Sequence, residues 1–169
     1  MELRLIGVVL LIAGCSLCGF KYASDVRLKI KSFRELIDIL NFMECELNYR
    51  LTPLPQLCRL SAAQGKLLAE LFYYFADEMD AQVSTNVECC MKAAIQKSRN
   101  TCNDVTEFLN ELGCSFGKFD LEGQLSGIDA VRKKCTQKLQ VLEKDKDIRI
   151  RNYQTLGICA GVALAILLI

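Results

Sequence analysis

The side chains of this chain that could do chemistry are cysteines, carboxylates and a few bases; there is no histidine and no tryptophan. Cysteines stand at 15, 18, 45, 58, 89, 90, 102, 114, 135 and 159. Cys15-x-x-Cys18 has the spacing of a redox or metal pair, but it lies inside an apolar run, with no second pair and no imidazole to complete four ligands. Cys89 and Cys90 are adjacent, so on a helix their thiols diverge, which suits chelation poorly. In a reducing compartment the expected role of nearly all ten is small apolar filler, with no disulfide and no metal. A nucleophilic Ser or Cys needs a neighbouring base, and imidazole, the side chain best suited to proton transfer near neutrality, is missing. Glu44 and Glu46 are two residues apart on a helix, so they face different sides and form no close carboxylate pair. Gly65-Lys66 is followed by Leu67 and lacks the upstream glycine of a phosphate-binding loop. Arg132-Lys133-Lys134 lacks the interleaved aromatics of a nucleic-acid site. The expectation is a protein that is not an enzyme, holds no cofactor and binds no nucleic acid.

The elements that carry these residues are unevenly apolar. Of 169 residues, 51% are hydrophobic, and 21 Lys+Arg against 20 Asp+Glu leave a formal charge of +1. Leu5 to Phe20 is uncharged, and so is Tyr153 to Ile169. As helices rising ~1.5 Å per residue the runs reach about 24 and 25 Å, a little short of a ~30 Å hydrocarbon layer. Arg4 and Lys21 can snorkel to lengthen the first, and Tyr153 can sit at the interface of the second. Buried core helices are the competing reading, but they usually carry a polar stripe and neither run has one. The expected organisation is a transmembrane helix over 1–20, a helical bundle domain over 21–152 and a second transmembrane helix over 153–169.

Flanking charge orients the spans. Lys21 to Arg34 holds five bases and one acid, +4, and Arg132 to Arg151 eight bases and three acids, +5. By the positive-inside bias the central domain faces the cytoplasm and both termini lie beyond the far face. The same bases suit anionic lipid, at ~1 kcal/mol for each base near the surface. Glu70 to Glu122 holds ten acids and four bases, −6, so the central helices are acidic, and Asp77, Glu78 and Asp80 are candidates for docking a basic partner. A different arrangement comes from Ile12-Ala13-Gly14-Cys15, which looks like a lipoprotein cleavage site and would give a lipid-anchored extracytoplasmic helical protein acylated at Cys15. Against it, Met1-Glu2-Leu3-Arg4 carries no net positive charge, and the apolar run continues past Cys15 to Phe20.

Between the runs the periodicity is helical throughout. Val26, Ile30, Phe33, Ile37, Leu40, Met43 and Leu47 recur at steps of three and four, predicting a long helix continuous with the first span. Thr52-Pro53-Leu54-Pro55 stops it and opens a short helix that ends near Gly65. Leu67, Leu68, Leu71, Phe72, Phe75 and Met79 mark another. Thr85-x-x-Glu88 reads as a capping box for a helix to about Arg99, and Thr101-x-x-Asp104 as a weaker one for a helix ending at Gly113. Gly113 to Asp120 then reads as a loop, with Asp120 capping a last helix whose face is Leu121, Leu125, Ile128, Val131, Cys135, Leu139 and Leu142. That helix runs without proline into the second span. The fold class is all-α: an antiparallel helical bundle whose first and last long helices continue into N- and C-terminal transmembrane helices. Tyr49 is expected to bury its ring with its hydroxyl on a group such as Glu46. Gly157-x-x-x-Gly161 permits close helix packing, within the chain or against a second copy in a homo-oligomer.

Four segments taken together resemble a known family. Glu44-Cys45-Glu46-Leu47-Asn48-Tyr49 with Thr52-Pro53-Leu54 is similar to the E-x-E-I-x-Y…T-P-L signature of stage III sporulation protein AB. Leu112-Gly113-Cys114-Ser115-Phe116-Gly117-Lys118-Phe119-Asp120, with Gln124 and Ile128, resembles its L-G-x-x-L-G-x-x-D-x-x-x-Q-x-x-x-I block. Gly19-Phe20-Lys21 and Leu156-Gly157…Gly161 fit as well, while Leu47 and Phe116 stand at its usual Ile and Leu positions. The resemblance implies a membrane component of the channel, or feeding tube, between mother cell and forespore, required for endospore formation. It would sit in the mother-cell membrane around the forespore. The family is similar to the platform proteins of type II secretion and type IV pilus systems. On that likeness the implied partners are the cytoplasmic ATPase stage III sporulation protein AA and other membrane proteins of the stage III complex.

Overall fold

A computed structural model of the chain describes residues 2–81, 86–98, 101–118 and 120–168. Among them it contains six helices and no strand: α1 Glu2–Arg50, α2 Leu54–Gln64, α3 Ala69–Asp80, α4 Val87–Lys97, α5 Asn103–Lys118 and α6 Leu121–Leu168. The chain divides into two compact units, one of Lys31–Gln140 and one of Met1–Ile30 with Val141–Ile169.

The larger unit is a helical bundle built on the predicted periodicities. On α1 the buried stripe is Phe33, Leu36, Ile39, Leu40, Met43 and Leu47. It is wider than the predicted face, because Leu36 and Ile39 join it while Ile37 is only half-buried. Phe33 sits at its centre, meeting Phe108 of α5 edge-on at 5.4 Å between ring centroids. Such a pair adds about 1 kcal/mol beyond the area it buries. α1 stops at Arg50 because Leu51 turns to a left-handed φ of 52° and Pro53 lacks an N–H to continue the ladder. α2 then opens on Pro53 as N-cap, with proline again in its first turn, as the Pro-x-Pro spacing predicts. α2 packs on α3, α3 on α4 and α4 on α5. Ile37, Asn41, Arg132, Lys133 and Gln140 line one groove, while Arg132 meets Asn41 and Glu44.

Three helix boundaries differ from the sequence reading. α5 does not end at Gly113; it continues to Lys118. Val105, Leu109, Leu112 and Phe116 form one buried stripe at steps of four, three and four. Burying Leu112 and Phe116 on that stripe carries the helix through a glycine whose intrinsic cost is about 1 kcal/mol. The cap of α4 is Asn86, whose side-chain oxygen accepts the Glu88 N–H at 3.0 Å, in place of the expected Thr85, which lies outside the described residues. At α5 the first turn closes with the Val105 N–H on the Cys102 carbonyl, one residue beyond the expected Thr101 cap.

In the smaller unit α1 and α6 pass unbroken through both apolar runs. Leu17, Phe20, Tyr22, Leu28, Val141 and Leu156 are exposed there, and Ala23 and Ile30 are buried. Among the described residues no helix is long and apolar enough to cross a membrane. Most side chains of Leu5–Phe20 and Tyr153–Ile169 lie outside that description.

Candidate functional site

The polar constellations of the bundle start from two glutamates on α1. Glu35 and Glu46 are eleven residues apart, close to three helical turns, so they project from one side of α1. Glu46 accepts the Thr52 hydroxyl at 3.1 Å and pairs with Arg50 at 3.3 Å, fixing the segment that leads into α2. Glu35 accepts three backbone N–H groups beyond the other end of α2: Lys66 at 2.6 Å, Leu67 at 3.0 Å and Leu68 at 2.8 Å. These N–H groups belong to the turn that leads into α3, whose N-cap, Leu68, makes no side-chain cap hydrogen bond. A carboxylate there is favoured both by the hydrogen bonds and by the helix dipole. α2 is thus held at both ends against the stretch of α1 that matches its length. Gly65 suits the inner corner, because a Cβ would lie 3.0 Å from a Glu35 oxygen and 3.1 Å from the Ala69 nitrogen, tighter than ordinary contact.

Glu44, two residues from Glu46, faces away from it as expected and meets Arg132 of α6 at 2.8 Å. Arg132 also donates to Asn41 at 2.9 Å and to Asp129 at 2.5 Å. Lys133 and Arg132 together hold the Asp129 carboxyl below its ordinary pKa. The Arg132-Lys133-Lys134 cluster is therefore a fastening of α6: Lys134 pairs with Glu111 of α5. Tyr49 does not bury its ring. It is 84% exposed, because it lies off the Met43–Leu47 stripe and the Glu46 carboxylate is taken by Thr52 and Arg50.

The second motif block builds the junction of α4, α5 and α6. Gly113 lies inside α5 and is buried, and a Cβ there would stand 2.7 Å from the Met91 Cβ of α4. Gly127 of α6 plays the same part against α5, with Ser115 Cβ 2.5 Å from where its own would be. Asp120 caps α6 as expected, its side chain accepting the Gly123 N–H at 3.0 Å and its carbonyl the Gln124 N–H at 2.9 Å. Gly117 lies on α5, and Gly157 and Gly161 lie on α6; their surroundings fall outside the described side chains.

The three candidate docking acids of α3, Asp77, Glu78 and Asp80, are separated by the fold. Glu78 turns inward and pairs with Lys97 of α4, and Asp80 pairs with Arg59 of α2, whereas Asp77 is exposed. The cysteines divide too. Cys58, Cys90 and Cys135 are buried, with burial raising each thiol pKa, that of Cys135 to about 12. Cys45, Cys89 and Cys159 are exposed and Cys102 and Cys114 half-exposed, so the filler role holds for three of the eight described. Glu35, Arg132 and Gly127 were not singled out as site residues by sequence reasoning. The one available signal was the three-turn spacing of Glu35 from Glu46.

Every polar cluster so far ends on a helix cap or a helix-to-helix fastening, which defines the class: an all-helical scaffold whose polar residues hold the bundle together. The sequence pattern of the stage III sporulation protein AB family matches residues 4–169, and the chain belongs to that family. Among solved structures it is similar to a stage III sporulation protein AB, with a TM-score of 0.61 and 21% identity over 69% of this chain and 94% of that one. A search of curated proteins returned no match. The chain is thus a sporulation-related protein with the helical fold of its family.

Proposed function

We propose that this chain is a non-enzymatic membrane platform of the sporulation channel, which holds a cytoplasmic helical domain at the membrane and docks an ATPase there. The observation that carries this reading is the continuity of α1 and α6 through the two apolar runs, with Leu17, Phe20 and Leu156 turned outward. Apolar side chains on the outside of a helix pair are stable against lipid and costly against water. The basic stretches beside both runs support a cytoplasmic bundle, and the partner is the sporulation ATPase, stage III sporulation protein AA.

Asp77 is the residue of the acidic helix best suited to that partner, since Glu78 and Asp80 already hold Lys97 and Arg59. Asp120 and Gln124 at the start of α6 form a second contact candidate, although one Asp120 carboxylate oxygen and the Gln124 N–H already serve the cap. The experiment is a pull-down of the purified ATPase by the full-length chain in detergent. Asp77→Lys is expected to weaken capture about tenfold, the loss typical of a central interface residue. Unchanged capture rejects docking at α3. Asp77 alone is the informative variant, because reversing Glu78 or Asp80 also breaks an ion pair inside the bundle.

A further inference from the structure

We propose that the outer face of α3 is a self-complementary contact through which two copies of this chain pair, α3 against α3. Glu70, Tyr73 and Asp77 follow at steps of three and four, so they share the side of α3 opposite its buried residues Leu71, Phe72, Phe75 and Ala76. Tyr73 is 55% exposed, an aromatic ring left in water with Tyr74 edge-on beside it. Next to the ring lies a trough of about 550 Å³ between α2 and α3, lined by Ala62, Ala63 and Ala69 and bordered by Glu70. Three alanines leave a socket there that larger side chains would have filled. Lys66 is exposed in the bend ahead of α3, four residues before Glu70.

With two α3 helices set antiparallel about a two-fold axis midway between Leu71 and Phe72, Tyr73 of each chain comes level with Glu70 of the other. The ring then lies over the alanine trough, and its hydroxyl is within reach of the Glu70 carboxylate. The same axis brings Lys66 of each chain level with Asp77 of the other. A knob meets a socket and a base meets an acid, each twice over, as a two-fold contact requires. Lys66 and Asp77 enter no ion pair among the described residues, while Asp80 already holds Arg59 and Glu78 holds Lys97. A uniformly basic helix would answer Asp77 and Glu70, but it would meet Lys66 with like charge and bring no ring for the alanines. Asp77 is also the proposed ATPase contact, so on that reading a second copy and the ATPase exclude each other at α3.

The test is the oligomeric state of the full-length chain in detergent, read by sedimentation equilibrium over a range of chain concentrations. A dimer is expected, and Tyr73→Ala should weaken it about tenfold, as loss of a central aromatic anchor does. Asp77→Lys and Lys66→Asp should each weaken it about tenfold, and the two together should restore it to within about threefold of the parent. Lys66 and Asp77 of one chain lie towards opposite ends of α3, at least about 12 Å apart, so rescue has to come from the second copy. A monomer at every concentration would overturn the proposal. So would a double variant as weak as the singles, or a dimer indifferent to all three single changes, whose contact then lies elsewhere. Capture of the purified ATPase is read separately. A dimer that captures none leaves this contact standing without the docking reading, and a monomer that captures it does the reverse.

Discussion

Glu35 carries a large share of the polar fastening of this bundle, because three backbone donors rest on one carboxylate. Charge-assisted bonds of this sort are each worth roughly 1.5–3 kcal/mol when intact, and deletion leaves the donors to water at a half-exposed site. Glu35→Ala should therefore destabilise the full-length chain by about 2–3 kcal/mol. Glu35→Gln, which keeps one acceptor oxygen, should cost less. Thermal unfolding followed by circular dichroism in detergent reads both, and an Ala variant as stable as the parent would remove Glu35 from this role. None of this was legible in the sequence, where Glu35 is one acid among twenty in a basic stretch. Asp120 was legible, because a helix cap is a local feature and its partner lies three residues away. Tyr49 was misread for the opposite reason: helical spacing alone cannot tell whether a ring at the edge of the buried stripe turns in or out.

At the scale of elements, helix existence followed from periodicity, but helix ends did not always follow from the punctuating residues. Thr52-Pro53 stopped α1 as expected, since a missing N–H and a fixed φ act whatever the surroundings. Gly113 did not stop α5, since its meaning is tertiary: it lies where α5 packs against Met91 of α4 with no room for a Cβ. The prediction that separates the two readings is Gly113→Ala. As a helix end or loop, alanine would be neutral or mildly stabilising. As a packing contact against Met91, it should destabilise by about 1–3 kcal/mol despite alanine's better helix propensity. Urea unfolding in detergent, with unchanged m-value, is the measurement. Gly127→Ala against Ser115 belongs to the same test, and both changes being neutral would mean that the α4–α5–α6 junction has room to spare.

For the whole molecule the proposed membrane platform predicts which side of a bilayer the bundle occupies, and the cysteines test it. Cys45 and Cys89 are exposed and Cys58 and Cys135 buried, all four within the Lys31–Gln140 unit. With a membrane-impermeant maleimide, intact cells should leave Cys45 and Cys89 unlabelled, and permeabilised cells should label them. Labelling in intact cells would place the bundle outside and revive the Cys15-anchored arrangement. Cys58 and Cys135 should stay unreacted in the folded chain at pH 8 on either side. Their folded pKa values lie above those of the unfolded thiols, so the associated stability is complete below about pH 9. It drains away as pH climbs towards 12, where the unfolded chain alone releases those protons.

The two glutamates that bracket α2 have a consequence of another kind. They work as the jaws of a caliper set to three helical turns, and a caliper is defeated by a change of length more than by a change of material. Deleting one residue of α1 between positions 35 and 46 would swing one jaw by about 100° around the helix. Both side chains would survive such a deletion, yet α2 could no longer be gripped at both ends. This stretch of the chain can therefore accept many spellings but only one word length.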